Sequence, residues 1–385
     1  MARAPKNAPH VSGRPPAGAA NRDPVSQASA PSVDTFAPAA RRQGKSARPW
    51  KPKHVYFTAD AYAEAHGRRI AERLEKLAVN YEVMRANRLP KLGGATTAET
   101  YRKAKNTLAI VNAPPSALRL TPIPPSADWQ FHLAKGCPAH CQYCYLAGSL
   151  PGAPVTRAYA NLEAILENNA DYIDPNRPLT TFEASCYTDP LGIEHLTGSL
   201  SRSIEWFGGQ PHARLRWVTK YDDVRPLLDL PHNGQTRCRI SLNAEWVTRR
   251  LEAGTADLEA RLEAMRDLGR VGYRLGAVLA PLMPFDGWRE AYAAMLDRLR
   301  EALDFSVDLT FELITHRFTP GSKEILLDWY PKTVLDFDEE SRSRKFNKFG
   351  GHKYVYPKDR MTELKDWFRE EIDRRFPEAE VLYFT

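Results

Sequence analysis

Three of the five cysteines lie within eight residues: Cys137, Cys141 and Cys144 in "CPAHCQYCY" have the spacing C-x3-C-x2-C. Thiolates this close can bind zinc or an iron–sulfur cluster. A structural zinc site closes a four-ligand tetrahedron, so His140, Cys186 or Cys238 would have to complete it. A four-iron cluster held by three protein thiolates leaves one iron open to a further ligand. Cys186 in "FEASC" and Cys238 in "RCRIS" stand alone, and a lone cysteine is most often a small buried hydrophobe. The odd count and the clustering argue against a disulfide framework. They point to a compartment where thiols stay reduced, the cytoplasm.

Positioning such groups needs a scaffold. From residue 127 the pattern strand, loop, helix repeats, with strand candidates "WQFHLA", "TTFEAS", "LRWVTK", "CRISLN", "RLGAVLAPL" and "VDLTFELI". Most are β-rich runs of the length expected of strands. Trp288, Tyr292, Met295, Leu296, Leu299 and Leu303 mark one face of an intervening helix, and Leu258, Leu262 and Met265 one face of another. Six strands alternating with helices predict an α/β fold, a partial (β/α)6 barrel of TIM type. Polar candidates fall at the strand ends: the Cys loop after Ala134, then Cys186, Lys220, Ser241 with Asn243, and His316. That is the rim where barrel enzymes assemble their chemistry. Upstream, "KPKHVYF", a helical stretch and "NTLAIVN" predict a small N-terminal α/β unit over residues 51–126.

The net charge of +7 is concentrated at one end. Residues 1–53 hold ten Lys and Arg against two Asp, or +8, which leaves the rest of the chain at −1. Residues 1–50 are rich in Pro, Ala, Ser, Gly and Arg without apolar periodicity, so they read as a disordered basic tail. Such a tail either strengthens attraction to nucleic acid or is a solvated leader. No apolar run is long enough to span a bilayer, and no apolar segment marks a secretory signal.

The cysteine motif, placed after a first barrel strand and containing an aromatic before its third cysteine, resembles that of the radical S-adenosylmethionine superfamily. The likeness narrows further. "KGCPAHCQYCYL", "FEASCYTDPLGIEHL", "VTKYDDV", "HNGQTRCRISLNAEWV", "LAPLMPFDGW", "TFELITHRFT" and "VLYFT" are similar, in the same order, to segments of the spore photoproduct lyase family, over about residues 51–385. The resemblance implies a [4Fe–4S] cluster on Cys137, Cys141 and Cys144, with S-adenosylmethionine on the open iron. An external electron donor such as flavodoxin or ferredoxin is also implied. The substrate would be DNA carrying 5-thyminyl-5,6-dihydrothymine, restored to two thymines by a 5′-deoxyadenosyl radical. Cys186 matches the hydrogen donor, Tyr143 and Tyr145 a hydrogen relay, and Lys220 and Ser241 the holders of the S-adenosylmethionine carboxylate. Thr188 and Asp189 complete the cofactor side. Tyr187 is a bulky departure, because the family more often has Thr-Ser-Asp after the donor cysteine. A family enzyme acting on another lesion or another substrate, and a zinc-stabilised nucleic-acid-binding protein without catalysis, are the competing readings.

Near the C-terminus, "SRSRKFNKFGGHKYVYPKDR" interleaves cations with aromatics around Gly350 and Gly351. It predicts a β-hairpin near 345–356, with Lys345, Lys348 and Lys353 for phosphates and Phe346, Phe349, Tyr354 and Tyr356 for stacking or packing. In the resembling family a hairpin here wedges into the duplex while the lesion flips out. Lys348, Phe349 and Lys345 are the expected DNA contacts, although Lys348-Phe349 stands where spore-forming members carry Arg-Tyr.

Overall fold

The computed structural model describes residues 44–150, 152–346 and 350–385. Along the chain the strands are β1 His54–Phe57, β2 Glu82–Val83, β3 Thr107–Val111, β4 Thr121–Ile123, β5 Ala127–Phe131, β6 Ala134–Lys135, β7 Thr156–Tyr159 and β8 Thr180–Ala184. They continue with β9 Ala213–Thr219, β10 Thr236–Leu242, β11 Arg274–Leu282, β12 Leu309–Thr315, β13 Ser343–Phe346, β14 His352–Val355 and β15 Glu380–Phe384.

The larger sheet runs β15-β12-β11-β10-β9-β8-β5-β4. The six expected strands, β5 and β8 to β12, are parallel neighbours in sequence order. This is the partial barrel. β15 adds a parallel seventh strand beside β12, and β4 an antiparallel edge beside β5. Between β9 and β10 the helix of a regular unit is reduced to the 3-10 turn Arg225–Leu227. Outer helices cover the sheet with the faces that periodicity predicts. Trp288–Ala302 buries Trp288, Tyr292, Met295, Leu296 and Leu299, and Leu258–Arg270 buries Leu258, Leu262 and Met265. Each such side chain contributes about 1.5–3 kcal/mol when fully removed from water.

The inner face carries charge. Glu183, Arg216, Arg239 and Glu312 come one each from β8, β9, β10 and β12, and all are buried. Arg239 pairs with both Glu183 and Glu312, and Arg216 pairs with Glu312. Two cations and two anions cancel, which offsets part of the desolvation cost. Gly276 on β11 makes room for them: a Cβ there would lie 2.8 Å from Arg239 Cγ.

The smaller sheet runs β2-β1-β3-β7-β6. It departs from the expected boundary at residue 126 in both directions. β4 leaves for the barrel, whereas β6 and β7 return from beyond it. β3, buried along most of its length, needs a partner on each side, and β7 supplies the second. The expected tail also ends earlier than residue 50. The Lys45 amide donates to Asp257 (2.7 Å), the Ala47 amide to Asp222 (2.9 Å), and the Trp50 carbonyl bonds His195 (2.9 Å). Composition did not reveal that backbone amides of 44–50 find fixed acceptors on the barrel. Residues 1–43 lie outside the described residues, as do Lys348 and Phe349 of the hairpin. Among the described residues no helix is long and apolar enough to cross a membrane.

Candidate active site

The Cys loop leaves the barrel after β5 and is fastened at several points. Gly136 turns at φ +86°, where a Cβ would lie 2.3 Å from the Val155 carbonyl oxygen, so the motif's preceding residue must be glycine. Its amide donates to Tyr187 O (2.8 Å); the His140 and Gln142 amides donate to Ala253 O (2.7 Å) and Leu251 O (2.8 Å). Lys105 lies buried beneath the loop and donates to Cys137 O (2.5 Å) and Ala139 O. Sequence reasoning missed Lys105, whose helix looks like any solvated basic helix.

Burial pushes the Cys137 thiol up to about 11, with Lys105 opposing, and pushes Cys141 well above the ordinary range. Cys137, Cys141 and Cys144 act on one another electrostatically. Among the described residues no group of three or more Cys, His, Asp or Glu is arranged to hold a single metal ion. A four-iron cube spans its ligand sulfurs more widely than one ion does. Three sulfur donors with a buried ammonium against the loop carbonyls suit an anionic iron–sulfur cluster. Of the candidate fourth zinc ligands, Cys238 is badly placed. Cys238 is sealed in the apolar core, and His140 Nδ1 bonds the Tyr101 hydroxyl (2.9 Å), which leaves Nε2 as its one open nitrogen.

Beside the loop, the ends of β9 and β10 bring Lys220 and Ser241 together. Lys220 Nζ donates to Ser241 Oγ (2.5 Å) and Ala280 O (3.4 Å), and sits 5.7 Å from the Tyr143 ring centroid. Asp189 is buried with both oxygens engaged: Oδ1 accepts from Thr219 Oγ1 (2.6 Å) and the Gly192 amide (3.3 Å), Oδ2 from the Lys220 amide (2.7 Å). It fixes the Lys220 backbone and has little left for a ligand. Thr188 is different. Its Oγ1 is buried and without a hydrogen-bond partner among the described residues, which leaves its bonding capacity unused.

Two residues absent from the sequence reading complete this side. Glu252 and Arg261 form an ion pair with both side chains wholly buried. Glu252 accepts the Tyr143 hydroxyl and stands 3.9 Å from Lys220 Nζ. Burial raises the Glu252 pKa, but Arg261 and Lys220 outweigh it and hold the carboxyl below its usual range. Arg261 also donates to Ser241 O (2.9 Å) and Ala256 O (3.0 Å).

Cys186 follows β8 on the opposite flank of the loop. The Tyr145 hydroxyl donates to its carbonyl. Tyr145 is 60% exposed, yet its phenol is driven well above the usual range by surrounding protein and by Cys186. Tyr143 and Tyr145 therefore diverge, one toward Glu252 and Lys220, the other toward Cys186. Burial and then Glu183 push the Cys186 thiol well above its ordinary range. At neutral pH it keeps the S–H bond, which a hydrogen-atom donor needs. Tyr187 packs its ring on His132 (4.9 Å) and near Lys135.

The hairpin forms as expected from β13 and β14, with Lys345 opposite Lys353. Tyr354 and Tyr356 belong to its buried root: Tyr354 packs on Phe318, and Tyr356 lies 3.8 Å under the Arg342 guanidinium. Lys345 is exposed, and Phe346 at 75% is the most exposed large hydrophobic residue among those described. The Lys353 pKa is lowered by burial and then by Arg317 and Lys345, which places two further cations near it. At the hairpin's foot a cavity of about 580 Å³ is lined by Trp246, Phe285, His316, Arg342 and Tyr356, among others.

A parallel half-barrel with a three-thiol loop after its first strand and a Lys–Ser pair on the same rim defines a radical S-adenosylmethionine enzyme. The model of the family described as spore photoproduct lyase matches residues 50–385, and the chain belongs to that family. It is 41% identical to the spore photoproduct lyase of Geobacillus sp. (strain Y412MC61), over 88% of this chain and 100% of the relative. It is 39% identical to that of Bacillus subtilis (strain 168), over 88% and 99%. A solved spore photoproduct lyase variant with bound AdoMet and dinucleoside spore photoproduct superposes with a TM-score of 0.83 at 39% identity, covering 88% of this chain and all of that one. A spore photoproduct lyase complexed with dinucleoside spore photoproduct gives the same score at 40% identity.

Proposed function

We propose that this chain is a DNA-repair lyase that returns 5-thyminyl-5,6-dihydrothymine to two thymines by direct reversal. The observation that carries the reading is the Tyr145–Cys186 contact. It ties the phenol, which lies one residue after Cys144, to the backbone of the residue whose thiol stays protonated. Cys137, Cys141 and Cys144 would hold a [4Fe–4S] cluster, and Lys220, Ser241 and the unpartnered Thr188 hydroxyl would receive S-adenosylmethionine. When bound, these groups supply a 5′-deoxyadenosyl radical.

The chain's own residues do the rest. The Lys220 ammonium pairs with a carboxylate that must stay ionised. Asp189 keeps that lysine's backbone in place. Cys186 gives its hydrogen to the thymine radical left after the lesion splits: the S–H bond breaks, a C–H bond forms, and the sulfur keeps the unpaired electron. Tyr145 returns a hydrogen atom to that sulfur, and Tyr143 stands at the cofactor end of the relay. Lys345 and the cations around Lys353 would meet DNA at the hairpin, with Lys348 and Phe349 as the further contacts that the family resemblance implies. The electron comes from a small carrier such as flavodoxin or ferredoxin.

The test is an anaerobic assay of the reconstituted protein with dithionite, S-adenosylmethionine and a synthetic dinucleotide carrying the lesion. Thymidine release by the native protein, with diverted products from Cys186→Ala, is expected. Cleavage of S-adenosylmethionine with the lesion left intact would sink the substrate assignment.

A further inference from the structure

Ser185 stands between the last residue of β8 and Cys186, is wholly buried, and adopts φ +62°. This left-handed region is uncommon for residues other than glycine and asparagine, and it persists only where surroundings over-determine it. Here they do. The Ser185 amide donates to Phe131 O (2.7 Å), and its carbonyl accepts the Thr188 amide (3.1 Å). Its Oγ accepts the Leu133 amide (3.0 Å), and Leu133 is itself buried. Phe131 ends the strand that leads into the Cys loop, and Leu133 lies four residues before Cys137. Ser185 thus joins the donor's strand to the root of the Cys loop through both backbone and side chain. A glycine would take the same φ without strain but would leave the Leu133 N–H unpaired.

We infer that Ser185 is a positioning residue: its left-handed backbone and its Oγ tie to Leu133 fix where the Cys186 thiol stands relative to the Cys137–Cys144 loop, so that hydrogen transfer outpaces escape of the product radical. The inference rests on Cys186 being the donor. Cys186→Ala is therefore carried beside Ser185→Gly and Ser185→Ala.

Each protein is reconstituted and given dinucleoside spore photoproduct anaerobically in deuterium oxide for a single turnover. The readouts are thymidine formed per lesion consumed, and deuterium delivered from the exchanged thiol. Cleavage of S-adenosylmethionine without lesion reports an intact radical site. Misplacement by about an ångström can cost on the order of 10²-fold in a positioned step. Both Ser185 variants are expected to keep substrate-free cleavage while the thymidine ratio and the deuterium transfer fall roughly tenfold. If Ser185→Ala does not fold, Ser185→Gly, which accepts the backbone, carries the test. Native ratios in the Ser185 variants, with Cys186→Ala still diverting products, overturn the inference. Native products from Cys186→Ala overturn the donor reading instead.

Discussion

The Tyr145 hydroxyl donates to the backbone carbonyl of Cys186, across 41 residues of sequence. The bond joins the loop that carries the three thiols to the end of β8, and Gly136 N to Tyr187 O joins them again from the other side. The Cys186 segment and the Cys loop are therefore tied at two points, with the Tyr145 phenol at one of them.

This geometry separates the two tyrosines. Tyr145→Phe is expected to leave a first turnover intact but to block return of hydrogen to the Cys186 sulfur. S-adenosylmethionine consumed per lesion should then rise from catalytic toward stoichiometric, measured as 5′-deoxyadenosine against thymidine. Tyr143→Phe removes a donor to buried Glu252, a loss of about 1–3 kcal/mol of stability. Equal consumption ratios in Tyr145→Phe and native protein would count against the relay.

Lys345 and Lys353 face each other on the hairpin, near Arg317. Like charges this close repel, and a polyanion relieves them. The double variant Lys345→Ala/Lys353→Ala should weaken binding to duplex DNA and reduce the slope of log K against log salt by roughly 2, about 0.9 per phosphate contact. Repair of a dinucleotide, which has no flanking duplex, should change little. A salt titration of duplex binding by fluorescence anisotropy checks the slope, and an unchanged slope would remove these lysines from the interface.

Glu252 and Arg261 are wholly buried and paired. Arg261→Met keeps most of the volume but leaves Glu252 with Lys220 at 3.9 Å as its remaining cation. Breaking a buried pair by removing one partner costs about 3–5 kcal/mol, a large share of a typical domain's stability. Denaturant unfolding of the metal-free protein should show this loss. A change below about 1 kcal/mol would mean that water reaches Glu252.

The sequence disclosed the parts of this site whose chemistry depends on residue type. Three clustered cysteines and six β-rich runs ending in polar residues were enough to predict a half-barrel rim with a metal loop. The inner charged layer left a fainter trace, since Glu183, Arg216, Arg239 and Glu312 each interrupt an otherwise β-rich run. Lys105, Glu252 and Arg261 left none, because a buried charge and a solvated one look alike in a helical sequence. Partners 9 to 109 residues apart decide the difference. The small sheet's boundary was hidden for a related reason: β7 is four residues long and pairs with β3 by tertiary proximity, not by local pattern.

His66 supplies a pH dependence remote from the metal loop. It is buried in the helix Ala65–Lys76, with Nε2 bonded to Ser199 Oγ (2.9 Å) and Nδ1 unpartnered. Burial, then Arg69, lowers its pKa from 6.5 to about 4. In the unfolded chain it titrates near 6.5, so between these values the unfolded state binds more protons. Stability is therefore complete above about pH 6.5 and declines as pH falls toward 4. For this one group the loss between pH 7 and pH 5 is about 2 kcal/mol. Denaturant unfolding at both pH values, in native protein and in His66→Gln, measures it. The variant should be less stable at pH 7 but lose less on acidification. An identical pH slope in the two proteins would show that His66 is not buried neutral.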